Sequence, residues 1–195
     1  MYVRDAKNRD EAWLLDHIEA MGLDDAAFRS RDYVIAVDEE TNQKAGFGRI
    51  RIHKSEEGDY CELTGLGVLE RWRGQGVGAH IIERLVENAG DEGFDTLYSF
   101  VDAADYLAQF GFEAIDEEEL PEPLADRLEA KRSDVFPEAV PMVLDAEAFT
   151  MPQRLREAFK AAGAAEQEVE PEPEETAEDF GIDPETATYK YDTGR

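Results

Sequence analysis

The stretch Glu70-Arg-Trp-Arg-Gly-Gln-Gly-Val-Gly78 constrains the fold of this chain more than any other. It follows a strand-like run, Cys61 to Leu69, and opens a helix-like run, Ala79 to Ala89. In that second run Ile81, Ile82, Leu85 and Val86 recur three and four apart on one face. The pattern is a strand, a tight glycine turn and a helix. Glycines at 74, 76 and 78 remove the Cβ atoms that would hold a ligand off the backbone. The free N–H groups of such a turn and the positive end of the helix dipole converge on one point. That geometry binds anions, usually phosphate or pyrophosphate.

A glycine-rich turn can also be no more than a turn, so the alternatives need weighing. A Walker A loop requires Gly-Lys-Ser/Thr, and no lysine lies between Lys54 and Lys131. A dinucleotide fingerprint wants Gly-x-Gly-x-x-Gly, and here the third glycine comes one residue early. Asp95, 21 residues after Gly74, opens the next strand-like run, whereas a ribose-binding acid belongs at that strand's end. The third reading is an acyl-CoA pyrophosphate loop. Arg71-x-x-Gly74-x-Gly76 resembles the Arg/Gln-x-x-Gly-x-Gly/Ala signature of the GNAT superfamily of N-acetyltransferases. Glu62 to Val68 resembles that family's fourth strand, and Trp72-Arg73-Gly74 its entry to the loop.

The charge balance excludes some partners. The 195 residues carry a net charge of −27. Residues 164–195 hold 11 acidic and 2 basic residues, and the remaining −18 is spread over residues 1–163. Such a surface repels nucleic acid and anionic membranes. With few lysines over a folded domain, it is also expected of a protein adapted to high salt, where counterions screen the repulsion. No apolar run approaches the roughly 20 residues of a membrane span, and the N-terminus has no signal-peptide pattern. The single cysteine forms no internal disulfide, and no Cys/His cluster spells a metal site. A cytoplasmic protein is expected.

Read in order, Tyr2-Val3 is a first strand and Asp10 to Gly22 a helix, with a Trp13, Leu14, His17, Ile18, Met21 stripe. His17 reads as a packed or rim histidine. Leu23 to Arg29 suggests a second short helix. Asp32 to Val37, Lys44 to His53 and Tyr60 to Leu69 read as strands, the middle one placing Phe47, Arg49, Arg51 and His53 on one face. Phe94 to Val101 is a strand, Ala103 to Phe110 a short helix, and Gly111 to Ile115 leads into another strand. A proline-started helix runs from Leu120 to Arg132, and Ala139 to Leu144 closes the sheet, with Pro141 suggesting an edge or the strand's start. This order resembles the GNAT fold over residues 1–147. That is an α/β (α+β) domain with a mixed, mostly antiparallel central sheet, helices on both faces, and two parallel strands splayed around the pantetheine arm. Residues 148–165 read as a C-terminal helix, and 166–195 as an acidic, largely disordered tail.

The resemblance implies a cytoplasmic acyltransferase that moves an acetyl group from acetyl-CoA to a primary amine, by direct attack in a ternary complex. The acceptor is a small-molecule or peptide amine, no metal is needed, and dimers through edge strands are common in the family. The alternative is a non-catalytic acyl-CoA-binding module, which turnover with any amine would separate. Carried over residue by residue, the pyrophosphate cradle is Arg73, Gly74, Gln75, Gly76, Val77 and Gly78, with charge added by Arg71 or Arg73. A backbone N–H at Val68 or Leu69 would donate to the thioester oxygen. Glu62, six residues before Val68, is the candidate general base, its pKa expected to be raised by partial burial. A surface glutamate in a glutamate-rich chain stays open as the alternative. The family's general-acid Tyr position holds Leu107 here, and Tyr106, one residue off, is a candidate acid or a packing aromatic. The segment from Phe110 to Ser133 resembles the amino-acid and arsenic-resistance N-acetyltransferase branch. That implies an amino-acid-like acceptor, with Arg132 at its carboxylate.

Overall fold

The computed structural model describes residues 1–162. They build one seven-stranded sheet from β1 (Tyr2–Asp5), β2 (Tyr33–Val37), β3 (Lys44–Ser55), β4 (Gly58–Val68), β5 (Thr96–Val101), β6 (Glu113–Ala114) and β7 (Val140–Asp145). The strand order is β1-β2-β3-β4-β5-β7-β6. Every neighbouring pair is antiparallel except β4 and β5. Those two run parallel and pair only at Cys61↔Leu97 and Glu62↔Tyr98. Beyond that point they part, and a hydrogen bond from Ser99 Oγ to the Leu63 carbonyl, 2.9 Å long, ties the base of the fork.

Side-chain alternation sorts the sheet into two faces. One carries Val34, Ala36, Ala45, Cys61, Leu63 and Leu97, and buries them under α2 (Val77–Asp91), whose Ile81, Ile82, Leu85 and Ala89 are fully inside. The other is divided. Tyr33, Ile35, Val37 and Phe47 pack under α1 (Glu11–Ala20), and Phe100 packs under Leu124 and Leu128 of α4 (Glu122–Asp134). Between these two apolar clusters the same face carries Arg49, Arg51, His53, Glu62 and Thr64, in the register Arg49↔Thr64 and Arg51↔Glu62. β4 inserts one extra residue against β3 at Gly65–Leu66, where Gly65 has φ +60°, and this bulge bends the strand where the fork opens.

One expectation needs correction. Leu23 to Arg29 is not helical. The carbonyls of Ala26 and Ala27, which a helix would need, instead accept from Arg49 at 2.7 and 3.2 Å, and Ala27 adopts φ +51°. Pro141 falls at the start of its strand and not on an edge, the second of the two places expected for it. β7 is flanked by β5 and β6, and the proline is tolerated as the strand's second residue, its carbonyl accepting from Ile115 N–H. The short α3 (Ala104–Ala108) and the C-terminal α5 (Gln153–Lys160) follow the expected order. The acidic tail lies outside the described residues. No described helix is long and apolar enough to cross a membrane, and no described group of His, Cys, Asp and Glu could hold a metal.

Candidate active site

The glycine turn is a backbone device. A single 3-10 turn, Glu70–Trp72, ends with Trp72 buried, and Gly74 and Gly76 both take φ +74°, a region that excludes most side chains. The N–H groups of Gly74 to Ala79 carry no backbone hydrogen bond of ordinary geometry among the described residues. They form an arc of free donors at the positive end of α2, and a phosphate group fits such a cradle. The three glycines serve three different purposes, however. Only Gly74 leaves open space where its Cβ would be. A Cβ on Gly76 would sit 2.3 Å from the Leu155 carbonyl of α5, and one on Gly78 would sit 2.8 Å from the Tyr106 hydroxyl. So α5 is seated on the turn itself. Phe159 stacks on His80 at 3.7 Å between ring centres, and Arg156 pairs with Glu83 at 2.6 Å.

The two cradle arginines are partly committed. Arg73 Nε donates to the Val68 carbonyl at 3.2 Å, Arg71 lies over the Trp72 ring, and Gln75 donates back to the Arg71 carbonyl. Leu69 is a correction. Its N–H donates to the Ala45 carbonyl at 2.9 Å, so it faces β3 and not the fork. In an antiparallel pair the bonding direction alternates, so Val68, opposite Gly46, turns its N–H and C=O toward the fork. Of the two, only Val68 turns its N–H toward the fork.

A cavity of about 150 Å³ opens in the fork, lined by Leu63 to Leu66 of β4, Ser99 to Ala103 after the split, and Tyr106, Leu107, Lys131 and Phe136. Tyr106 is 37% exposed, its ring edge against Phe110, and burial of its hydroxyl raises its pKa. It lines the cavity as a protonated phenol.

Beneath the cavity lies a buried ionic cluster that sequence reasoning assembled only in part. Glu62 is 0% exposed. It accepts from His53 Nε2 at 2.7 Å, from Arg127 Nε at 3.0 and 3.2 Å, and from Lys131 Nζ at 3.4 Å. Lys131 also donates to Thr64 Oγ1 at 2.8 Å, and Arg127 grips Asp24 with its other end at 2.9 and 3.1 Å. The expectation of a raised Glu62 pKa is overturned. Burial does push it up, but the His53 hydrogen bond and the charges of Lys131 and Arg127 outweigh it and hold the carboxyl well below its usual range. Fully buried and already holding three donor groups, this carboxylate is not positioned to touch an amine directly. Burial draws the Lys131 ammonium below its ordinary value, and with the charge of Arg127 it outweighs the attraction of Glu62 and Asp24.

Arg132 is turned away from the cavity. It donates to the Ala139 carbonyl at 2.9 and 3.1 Å and pairs with Glu117, whereas its neighbour Lys131 faces the fork. Adjacent helical residues point about 100° apart, so a reading shifted by one residue lands on the wrong side of α4. Arg127, Lys131 and Asp24 were not singled out as site residues from the sequence. The available signal was Arg127 and Lys131, four apart, sharing the stripe of Leu124 and Leu128. Two cations on an apolar face of a lysine-poor acidic chain call for buried acids.

The sequence profile of the acetyltransferase (GNAT) family matches residues 3–112. The chain belongs to that family. No curated protein matches it. Solved structures share its fold at low identity. One is an N-acetylglutamate synthase from Neisseria gonorrhoeae complexed with coenzyme A and N-acetyl-glutamate, with a TM-score of 0.59 and 20% identity over 73% of this chain and 34% of that one. Another is Rv2747 from Mycobacterium tuberculosis in complex with CoA and NLQ, with a TM-score of 0.61 and 16% identity over 74% of this chain and 99% of that one. A third is Arabidopsis thaliana Naa50 in complex with a bisubstrate analogue, CoA-Ac-MVNAL, at 0.53 and 18% over 73% and 95%. This chain thus spans about a third of the Neisseria protein.

Proposed function

We propose that the protein transfers an acetyl group from acetyl-CoA to a primary amine within a ternary complex. The observation that carries this reading is the arc of N–H groups from Gly74 to Ala79 without a backbone partner among the described residues, which at Gly78 comes against Val68 and the hydroxyl of the cavity-lining Tyr106. Acetyl-CoA, when bound, supplies a thioester whose carbonyl carbon accepts the amine and whose sulfur leaves as a thiolate. The cradle holds the pyrophosphate by backbone donors, with Arg73 and Arg71 adding positive charge beside it. Val68 N–H faces the fork and can donate to an oxygen that becomes negative there.

The amine must first lose a proton, because an ammonium has no lone pair to attack with. Glu62 serves this step through the groups it holds. Lys131 lines the cavity with its Nζ beside Glu62 and Thr64, burial draws its pKa below the ordinary lysine value, and in this reading it takes the amine's proton as the base. Glu62 then stabilises the ammonium that forms, and His53 and Arg127 keep the carboxylate in place. Tyr106, protonated and on the cavity wall, is the side chain placed to donate to a leaving thiolate.

The test is release of free thiol from acetyl-CoA across a panel of primary amines, followed as a function of pH. Lys131→Met should lower kcat/KM by about 100-fold or more, the usual contribution of a positioned general base. Its acid limb should move up toward the acceptor amine's own pKa. A Lys131→Met enzyme with an unchanged pH profile would remove Lys131 from this role. Absence of turnover with every amine, from folded protein that binds CoA, would favour the non-catalytic module.

A further inference from the structure

Helix α5 lies beyond residues 3–112, the part of the chain that the family profile covers. It is basic in an acidic chain: Arg154, Arg156 and Lys160 stand against the single Glu157, where the whole chain carries −27. It is also held against the donor half of the site. Its contacts on α2 fall at Gly76, His80 and Glu83, four and three residues apart, so it lies along one side of that helix's start and not across its end. The Tyr106 hydroxyl of α3 stands at Gly78, about 200° around the helix from Gly76. Arg154 bridges the two sides. It precedes Leu155, whose carbonyl abuts Gly76, and it donates to the Gln109 side chain at the end of α3. Its charge also acts on the Tyr106 hydroxyl. Arg156 is neutralised by Glu83, but Arg154 makes no ion pair among the described residues. Glu70, Asp102 and Asp105 lie exposed on the neighbouring elements, and none of them pairs with it. Its bond to Gln109 is to a neutral amide, which an anion can displace.

Resting on the acetyltransferase reading above, we propose that α5 is a second wall of the acyl-CoA site and that Arg154 receives a phosphate of the CoA nucleotide beside the backbone cradle. The two devices are complementary. The N–H groups of the turn hold one phosphate by position, and a planar guanidinium takes two phosphate oxygens at once. CoA offers phosphate oxygens at its pyrophosphate and at its ribose 3′ position, and both have this chemistry. Arg156 holds α5 to α2 through Glu83, and Phe159 does so through His80, so the wall is in place before the ligand arrives.

The test is binding of CoA and of dephospho-CoA, which lacks the 3′-phosphate, by titration calorimetry at a low and a high KCl concentration, with no acceptor present. Arg154→Gln should weaken CoA by about tenfold, the lower range for a hydrogen bond to a charged group, and by less at the higher salt. A loss confined to CoA assigns Arg154 to the 3′-phosphate, and an equal loss for both ligands assigns it to the pyrophosphate. Arg154→Lys keeps the charge and should recover part of the affinity. Arg154 is exposed, so the unliganded unfolding midpoint of Arg154→Gln should match that of the parent. An Arg154→Gln protein that binds CoA as tightly as the parent would overturn the role of Arg154 and leave the cradle standing. A loss that salt does not diminish and lysine does not restore would do the same. A parent protein that binds neither ligand would instead overturn the cradle, and the acetyltransferase reading with it.

Discussion

The two halves of the site are built in opposite ways. The donor half, Gly74 to Ala79, is one continuous segment whose chemistry lies in backbone N–H groups and whose shape comes from glycine at positive φ. The acceptor half draws Asp24 from the segment after α1, Arg49, Arg51 and His53 from β3, Glu62 and Thr64 from β4, and Arg127 and Lys131 from α4. Its chemistry lies entirely in side chains. A local backbone device is rigid, tolerant of its surroundings and readable from spacing. A distributed ionic cluster exists only when all its elements are in place, and each member's charge state depends on the others.

That contrast predicts how differently the halves respond to damage. The largest effect is expected at Glu62. Glu62→Gln leaves Lys131 and His53 without a carboxylate partner and Arg127 with Asp24 alone, and removing one partner of such a buried pair costs about 3–5 kcal/mol. For a domain of this size, that lowers the unfolding midpoint by roughly 10 °C. The pH dependence has a definite sign. Glu62 has a depressed folded pKa, so its contribution is complete above the unfolded carboxylate value of about 4.3 and is lost as pH falls toward the lower folded value. Glu62→Gln should therefore flatten the acid side of the stability curve. An equally steep acid loss in the variant would mean that the cluster is not held by this carboxylate.

A smaller effect separates the glycines of the donor half. Gly76→Ala places a Cβ 2.3 Å from the Leu155 carbonyl, so α5 must move and its amides should exchange faster with solvent. Gly74→Ala meets no neighbour, and its cost is the backbone strain of a left-handed residue, about 1–2 kcal/mol. Equal protection of α5 in the two variants would break the claim that α5 is seated on the turn. The smallest effect is expected at Tyr106. Tyr106→Phe removes one neutral hydroxyl from the cavity wall and should lower kcat less than about tenfold. A larger loss would make it an essential acid.

The same contrast explains what the sequence discloses. The turn, the helix after it and the strand before it were legible because Gly74, Gly76 and the Ile81-to-Val86 stripe are neighbours in sequence. The order of strands and most helices along the chain followed from runs separated by clear turns. What spacing could not reveal was where side chains meet. Glu62 was identified by position, but its charge state depends on Arg127 and Lys131, 65 and 69 residues away. Arg132 was chosen over Lys131 because a motif match does not specify the helix face. Leu69 was set beside Val68 because only the strand register decides which N–H points into the fork. Leu23 to Arg29 has reasonable helical composition, and Arg49 overrides it by taking two of its carbonyls.

The central claim is that the arc from Gly74 to Ala79 binds the pyrophosphate of acetyl-CoA, and thermal unfolding tests it most directly. The protein would be melted in concentrated KCl, which screens its acidic surface, alone and with acetyl-CoA, CoA or NAD. A ligand bound only by the folded state, at 100 times its Kd, adds about 2.7 kcal/mol, or roughly 5–10 °C here. The account predicts that shift with acetyl-CoA and with CoA, and none with NAD. Folded protein whose midpoint ignores both CoA ligands would contradict it and reduce the glycine turn to a seat for α5.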